Sequence, residues 1–267
     1  MQSVFTDCPH REKLGWLEET HLVFPSIQRF FDVQAHGRSV VRRIAEAQLS
    51  TGMVPSIAPE YPIFSGAFRD EPNWGNSIIL LPLYLYQSYG EITLLEEFYS
   101  NMKSYVDYLS SKATDNIVSY GLGDWYAVDQ STPVGVTGTY GYWASVNGLA
   151  IVAAALNQTV DAQRYRELAS NISMAFHKTF FNATAHTYAT GSQAADVFAL
   201  EMGAVPSSEQ QNVIQHVIND IRHRNNHTSV GEVALPSWFR MLSHFGHDGV
   251  VYDFLSRTDS PSYGYAI

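Results

Sequence analysis

Apolar positions recur along this chain at helical spacing, block after block. Between Glu19 and Ser50, Leu22, Val23, Ile27, Phe30 and Phe31, then Val40, Val41, Ile44 and Leu49, return at about 3.6 residues per turn. That predicts one long helix, divided or kinked at Pro25 and Gly37 and closed by Thr51-Gly52. Met53 to Pro72 breaks the pattern with prolines and glycines and reads as a long loop, of a length that often carries function. Ser77–Tyr89 and Glu91–Lys112 predict a helical hairpin turning at Gly90, with Leu94, Phe98, Met102, Tyr105 and Leu109 on one stripe of the second helix. Residues 126–139, rich in Gly, Thr and Val, read as another loop.

Tyr140–Asn157 is apolar on nearly every side and should be buried, with the more amphipathic Val160–Phe180 lying outside it. Residues 181–192 read as a turn region. Ala194–Met202 pairs with Ser207–Arg224, where Ser207 and Gln210 suit a capping box; Glu232–Phe245 pairs with Asp248–Ser256. Strand-like alternation is scarce. The fold class this predicts is all-α, a toroid of helical hairpins whose longer joins, bearing glycine, proline and aromatic residues, gather around a site.

Charge narrows the possible partners. The net charge is −10 over 267 residues, which disfavours nucleic acid and anionic membrane surfaces, since both call for a basic face. No apolar run is long enough to span a bilayer, and no signal peptide is visible at the start of the chain. Cys8 is the one cysteine, so an internal disulfide is impossible. Four sequons, at Asn157, Asn171, Asn182 and Asn226, fit a secreted, glycosylated parent protein. His223 with His227 and His244 with His247 have helical metal-ligand spacing, but no third ligand accompanies them. There is no phosphate-cradling glycine loop and no nucleophile elbow, so neither a metal nor a cofactor is expected.

The densest chemistry lies in Asp7-Cys8-Pro9-His10-Arg11-Glu12-Lys13-Leu14-Gly15-Trp16-Leu17-Glu18-Glu19. Asp7 and Pro9 suggest a turn entering a helix. Were that helix to run from about Arg11, Glu12 and Glu19 would lie nearly two turns apart on one side. Carboxylates gathered beside an indole face suit sugar chemistry: one protonates a leaving oxygen, others hold hydroxyls, and the ring stacks on a pyranose. A solvated acidic helix start fits the same spacing. Arg11 should pair with one of the carboxylates, Asp7 or Glu19.

This segment resembles the signature of the α-L-rhamnosidases of glycoside hydrolase family 78, Asp-Cys-Pro-Gln-Arg-Glu/Asp-Arg-Leu-Gly-Trp-Thr-Gly-Asp. Asp7, Cys8, Pro9, Arg11, Glu12, Leu14, Gly15 and Trp16 match; His10, Leu17-Glu18 and Glu19 depart from it. The resemblance implies a six-hairpin (α/α)6 barrel, an inverting hydrolase releasing terminal α-L-rhamnose from plant glycosides or polysaccharides, and Glu12 as its general acid. It implies that Asp7 and Glu19 bind the sugar and that Cys8 is structural. Asn73-Trp74-Gly75-Asn76 resembles a Trp-Gly-Asp element beside the sugar, with Asn76 replacing the aspartate; a helix cap with a core tryptophan is the alternative. Gly123-Asp124-Trp125 resembles a Gly-Asp-Trp element that lines the pocket. The expected substrate-binding set is therefore Asp7, Arg11, Trp16, Glu19, Trp74, Asn76, Asp124 and Trp125.

Ser260 to Ile267 resembles the family segment that precedes a Trp-Glu motif, whose glutamate serves as the general base. The expectation is a single incomplete barrel domain over residues 1–267, lacking its last helices and its upstream β-domains, and hydrolysing little on its own. The partner is a carbohydrate, and the parent is secreted. The rival readings are an inactive sugar-binding homologue and a related exo-glycosidase or lyase on the same barrel.

Overall fold

The computed structural model describes residues 4–8 and 10–266. Pro9, assigned above to the turn, and Ile267 lie outside the described residues. The chain divides into two compact units, residues 1–122 with 138–172 and residues 123–137 with 173–267. Both are built from helices joined in pairs; among the described residues the only sheet is a two-stranded one.

The first unit is organised around α4 (Ser77–Tyr89). Its sequence is apolar all round, and Ile78, Ile79, Leu81, Pro82, Leu83 and Leu85 are all buried. Each such side chain contributes about 1.5–3 kcal/mol on leaving water. Against it pack α1 (Leu17–Ile27), α2 (Gln34–Ala47), the single-turn α3 (Pro72–Gly75) and α5 (Ile92–Lys112). Gly90 ends α4 at φ 73°, a left-handed conformation that glycine adopts without strain. The stripe from Leu94 to Leu109 is buried as its spacing predicts.

Three expectations are corrected here. The segment after Glu19 does not divide at Pro25 or Gly37: Pro25 sits inside the last turn of α1, and the break falls at residues 28–33. Gly37 lies inside α2, where a Cβ would come within 2.9 Å of a Leu85 methyl, so the glycine serves close packing. The supposed loop at 126–139 is shorter, because α6 (Val134–Ala155) already begins at Val134. Within α6, a Cβ on Gly138 would meet the carbonyls of Val118 and Tyr120 at 2.7 Å, so a glycine stands inside this helix to let that segment approach.

The second unit is organised around α8 (Gln193–Glu201), whose residues are buried from Gln193 to Leu200. The Ser192 hydroxyl caps it by accepting from Ala195 N. Packed on α8 are α9 (Gln210–His223), α10 (Leu235–His244) and the strand β2 (Thr187–Tyr188), which pairs antiparallel with β1 (Phe181–Asn182). α11 (Asp248–Leu255) packs on α10, and α12 (Tyr263–Ala266) ends the description. Ser207 is not the cap of α9, which starts at Gln210 after a turn closed by the Pro206 carbonyl. The boundary between the units falls inside α6 and α7 (Thr159–Phe180).

Candidate active site

The acidic segment is not helical from Arg11. Residues 10–12 form a turn, Lys13 takes φ 60°, and α1 starts only at Leu17. The cause is an antiparallel bridge between Trp16 and Ile57, in which Ala58 N donates to Gly15 O and Leu17 N to Ser56 O. Gly15 permits this approach, since a Cβ there would lie 2.6 Å from the Ala58 carbonyl. Glu12 and Glu19 are therefore placed by a turn and a helix, not by one helical face.

The turn gathers its polar atoms tightly. Trp16 Nε1 donates to Glu12 Oε2 at 2.9 Å, and Arg11 Nη2 donates to Glu12 Oε1 at 3.0 Å. Arg11, expected to pair with Asp7 or Glu19, instead forms its ion pair with the adjacent Glu12. Cys8 Sγ donates to Asp7 Oδ2 at 2.6 Å; this hydrogen bond, aided by burial and opposed by Arg11, raises the thiol pKa. Donor atoms of Asp7, Cys8 and Glu12 lie within 4.8 Å of one another, the one grouping of metal-capable side chains among the described residues. The thiol donates to Asp7 Oδ2 and both Glu12 oxygens accept hydrogen bonds, whereas Asp7 Oδ1 is buried without a hydrogen-bond partner among the described residues.

Glu12 keeps 36% of its side chain open to water, and Arg11 keeps 60%. Asp7 and Glu19 both line a cavity of about 600 Å³, whose far wall is apolar and includes Phe5, Val23, Ile27 and Phe31. Trp16 is only 8% exposed, and Phe64 stacks on it with centroids 5.1 Å apart at 24°. One indole face is thereby covered by protein, and its N–H is committed to Glu12.

Trp74 and Asn76 are each 2% exposed, on α3 and at its C-terminal cap. Asn76 Oδ1 is buried and has no hydrogen-bond partner among the described residues. What holds this element is Glu71, which sequence reasoning passed over. Its carboxylate accepts from the backbone N–H groups of Asn73 and Trp74, and from Leu122 N. Burial pushes the Glu71 carboxyl up to about 7, against those donors, which pull the other way. Gly121 answers the same crowding, since a Cβ there would lie 2.5 Å from Glu71 Oε1. The element is also tied to α1: His21 Nε2 lies 2.9 Å from Asn73 O, and the Ser77 hydroxyl donates to Leu17 O. An acidic residue directly before a proline at the first helical position is an N-cap signal that could have revealed Glu71.

In the second unit, Asp124 is 9% exposed and both its oxygens accept backbone hydrogen bonds, from Gly231 N at 2.7 Å and Ala234 N at 3.0 Å. Burial, offset by those donors, raises its carboxyl to about 6. Trp125 is half-buried and packs edge-on against Tyr126, and its carbonyl accepts from Glu232 N.

An all-α chain of helical hairpins, with carboxyl groups gathered at the entry to its first helix, has the architecture of a six-hairpin glycosidase domain. The bacterial alpha-L-rhamnosidase 6 hairpin glycosidase domain matches residues 1–267, and the chain belongs to that family. It is 28% identical to an alpha-L-rhamnosidase of Streptomyces avermitilis over 99% of its own length and 25% of that protein's. It is 30% identical to one of Formosa agariphila over 97% of its own length and 29% of that protein's.

Among solved structures, the alpha-L-rhamnosidase from Dictyoglumus thermophilum superposes with a TM-score of 0.92 at 31% identity, covering 98% of this chain and 30% of that one. The Streptomyces avermitilis alpha-L-rhamnosidase complexed with L-rhamnose gives 0.91 at 26% identity, covering 98% and 25%. The chain thus spans between a quarter and a third of the length of these relatives.

Proposed function

We propose that the chain carries the acid-bearing portion of an α-L-rhamnosidase catalytic barrel, acting on terminal α-L-rhamnose of plant glycosides or polysaccharides by inverting hydrolysis. Glu12 is the proton donor to the glycosidic oxygen. The observation that carries this reading is the state of Glu12: the carboxyl is oriented by Trp16 and Arg11, yet remains open to solvent beside Asp7. A group that must deliver a proton to a bound substrate needs both a fixed direction and access. Asp7 and Glu19, which line a cavity with an apolar wall, accept hydroxyl hydrogen bonds from the sugar in this reading, and Arg11 holds the Glu12 carboxyl.

Trp16, Trp74, Asn76 and Asp124 take a different part in this reading. They are buried, and the Trp16 indole N–H and both Asp124 oxygens are engaged, so each braces the element it lies on and offers a sugar at most an edge. Trp125, half-buried, is the remaining indole open to a ring. That a relative was solved with L-rhamnose supports the choice of sugar. A secreted, glycosylated parent protein is proposed on the four sequons, of which Asn157, Asn171 and Asn182 are exposed.

The test is hydrolysis of nitrophenyl α-L-rhamnoside against other nitrophenyl glycosides, in the longest polypeptide that carries these residues, alongside L-rhamnose binding by the 267-residue chain. Selective turnover that Glu12→Gln abolishes supports the reading. Turnover that survives Glu12→Gln sinks it. Sugar binding without any turnover by the longest polypeptide favours the inactive sugar-binding homologue instead.

A further inference from the structure

The long segment between α2 and α3 closes on itself. Arg69 grips Glu60 with two parallel hydrogen bonds, Nε to Oε1 at 2.6 Å and Nη2 to Oε2 at 3.0 Å. Both side chains are largely withdrawn from water, at 29% and 13% exposure, which makes this planar two-point pairing stronger than a surface ion pair. Ser56 N donates to Arg69 O at 2.9 Å and pins the same end. Residues 61–68 therefore stand as a compact loop with fixed ends, closed by a short 3-10 turn at Gly66–Phe68.

The loop carries two kinds of apolar side chain. Phe64 turns inward and stacks on Trp16, with Phe68 next to it at 6.5 Å between centroids. Tyr61, Ile63 and Phe68 turn outward, with 87%, 72% and 43% of their surfaces exposed. Three large apolar side chains on one short fixed loop are more than the scattered surface residues of an ordinary fold and mark a place of contact. Their position relative to the chemistry is short to trace: Phe64 covers Trp16, and the Trp16 indole N–H holds Glu12. One ring separates the loop from the carboxyl. A proton donor to a glycosidic oxygen stands where the sugar meets the departing group, so protein packed against the donor's support flanks the departing group.

We propose that the Glu60–Arg69 loop is the platform for the departing group, and that Tyr61 and Ile63 make it select an aromatic, apolar departing group over a small one. The inference rests on Glu12 being the proton donor. Phe64 is a positioning residue that joins the platform to the acid; Tyr61 and Ile63 are the specificity determinants.

The test compares binding of phenyl α-L-rhamnoside and methyl α-L-rhamnoside to the 267-residue chain by titration calorimetry, in wild type, in the double variant Tyr61→Ser/Ile63→Ser and in Glu60→Gln. Burying one phenyl face should give the wild type a preference of about tenfold for the phenyl glycoside. The double variant should bring that preference close to one while leaving the methyl glycoside's affinity within about twofold. Glu60→Gln, which loosens the loop without removing its apolar groups, should lower the preference partway. Both substituted residues of the double variant are exposed, so circular dichroism should match wild type. A preference that survives in the double variant, or that is absent from the wild type, overturns the inference. If neither glycoside binds the wild type, the rhamnoside reading of the site fails too, an outcome distinct from the loss of preference alone.

Discussion

Glu12 and Glu71 are glutamates of the same compact unit, and their surroundings are opposite. Glu12 accepts from two side chains, one of them 60% exposed, and stays 36% open to water. Glu71 is 1% exposed and accepts from backbone N–H groups on two separate stretches, Asn73-Trp74 and Leu122. Side-chain partners can be shed and remade when a substrate arrives, whereas backbone partners are part of the fold. One glutamate is therefore suited to exchange protons with a bound molecule, and the other to fix the element that braces α1. Asp124 repeats the second pattern in the other unit, with both oxygens on the backbone of the segment at 231–234.

The largest test of this contrast is Glu12→Gln. The substitution keeps size and the acceptor for one of the two N–H donors but removes the transferable proton, so on the proposed reading rhamnoside hydrolysis by the longest polypeptide should fall by about 10²–10⁴-fold, with little change in melting temperature because the site is exposed. A drop in melting temperature comparable to that of a core variant would erase the distinction between the two glutamates.

Next comes pH. Burial raises Glu71 from 4.5 to about 7 and Asp124 from 3.8 to about 6. A carboxyl whose folded pKa lies above its unfolded value contributes its full stability below the unfolded value and loses it as pH rises through the folded one. Stability should therefore decline between about pH 4 and pH 7, by roughly 3 kcal/mol for each group as an upper figure. Glu71→Gln should flatten the decline in urea midpoint between pH 5 and pH 8, whereas Glu12→Gln should leave its slope as in wild type. A steeper slope in Glu71→Gln would show that burial does not govern this carboxyl.

Trp16→Phe sharpens the exposed half of the comparison. The aromatic ring on Phe64 is retained and only the N–H to Glu12 is lost, which should lower hydrolysis by up to about tenfold, as the loss of one orienting hydrogen bond implies. In the Glu12→Gln background the same change should cost much less, because the two residues act as one unit. The smallest effect belongs to Arg11→Gln. An ion pair this exposed is worth under about 1 kcal/mol, so stability should shift by less than that, and the shift should vanish at high salt.

Much of the helical framework was legible in the sequence because periodic burial sets it. α4 and α5, with Gly90 between them, appear where apolar spacing and a glycine stop predict them. The start of α1 was not legible, because Trp16 is drawn into a bridge with Ile57, far away in sequence, and no local signal at Arg11 competes with that. The early start of α6 was hidden for a similar reason: Gly138 looks like a helix breaker until the Val118 and Tyr120 carbonyls are found against it. At the site, the types of the acidic residues were readable from the motif, but their division of labour was not. Burial at Glu71, Asp124, Trp74 and Trp16 is a tertiary property, and it separates residues committed to the fold from residues open to solvent.

The clasp between Arg69 and Glu60 has an evolutionary consequence. It fastens the base of a loop whose Phe64 stacks on Trp16, so on the proposed reading the exposed Tyr61 and Ile63 can be exchanged without disturbing the ring that holds Glu12. A lineage could retune which molecules it dismantles by rewriting that tip alone, leaving the reaction itself untouched.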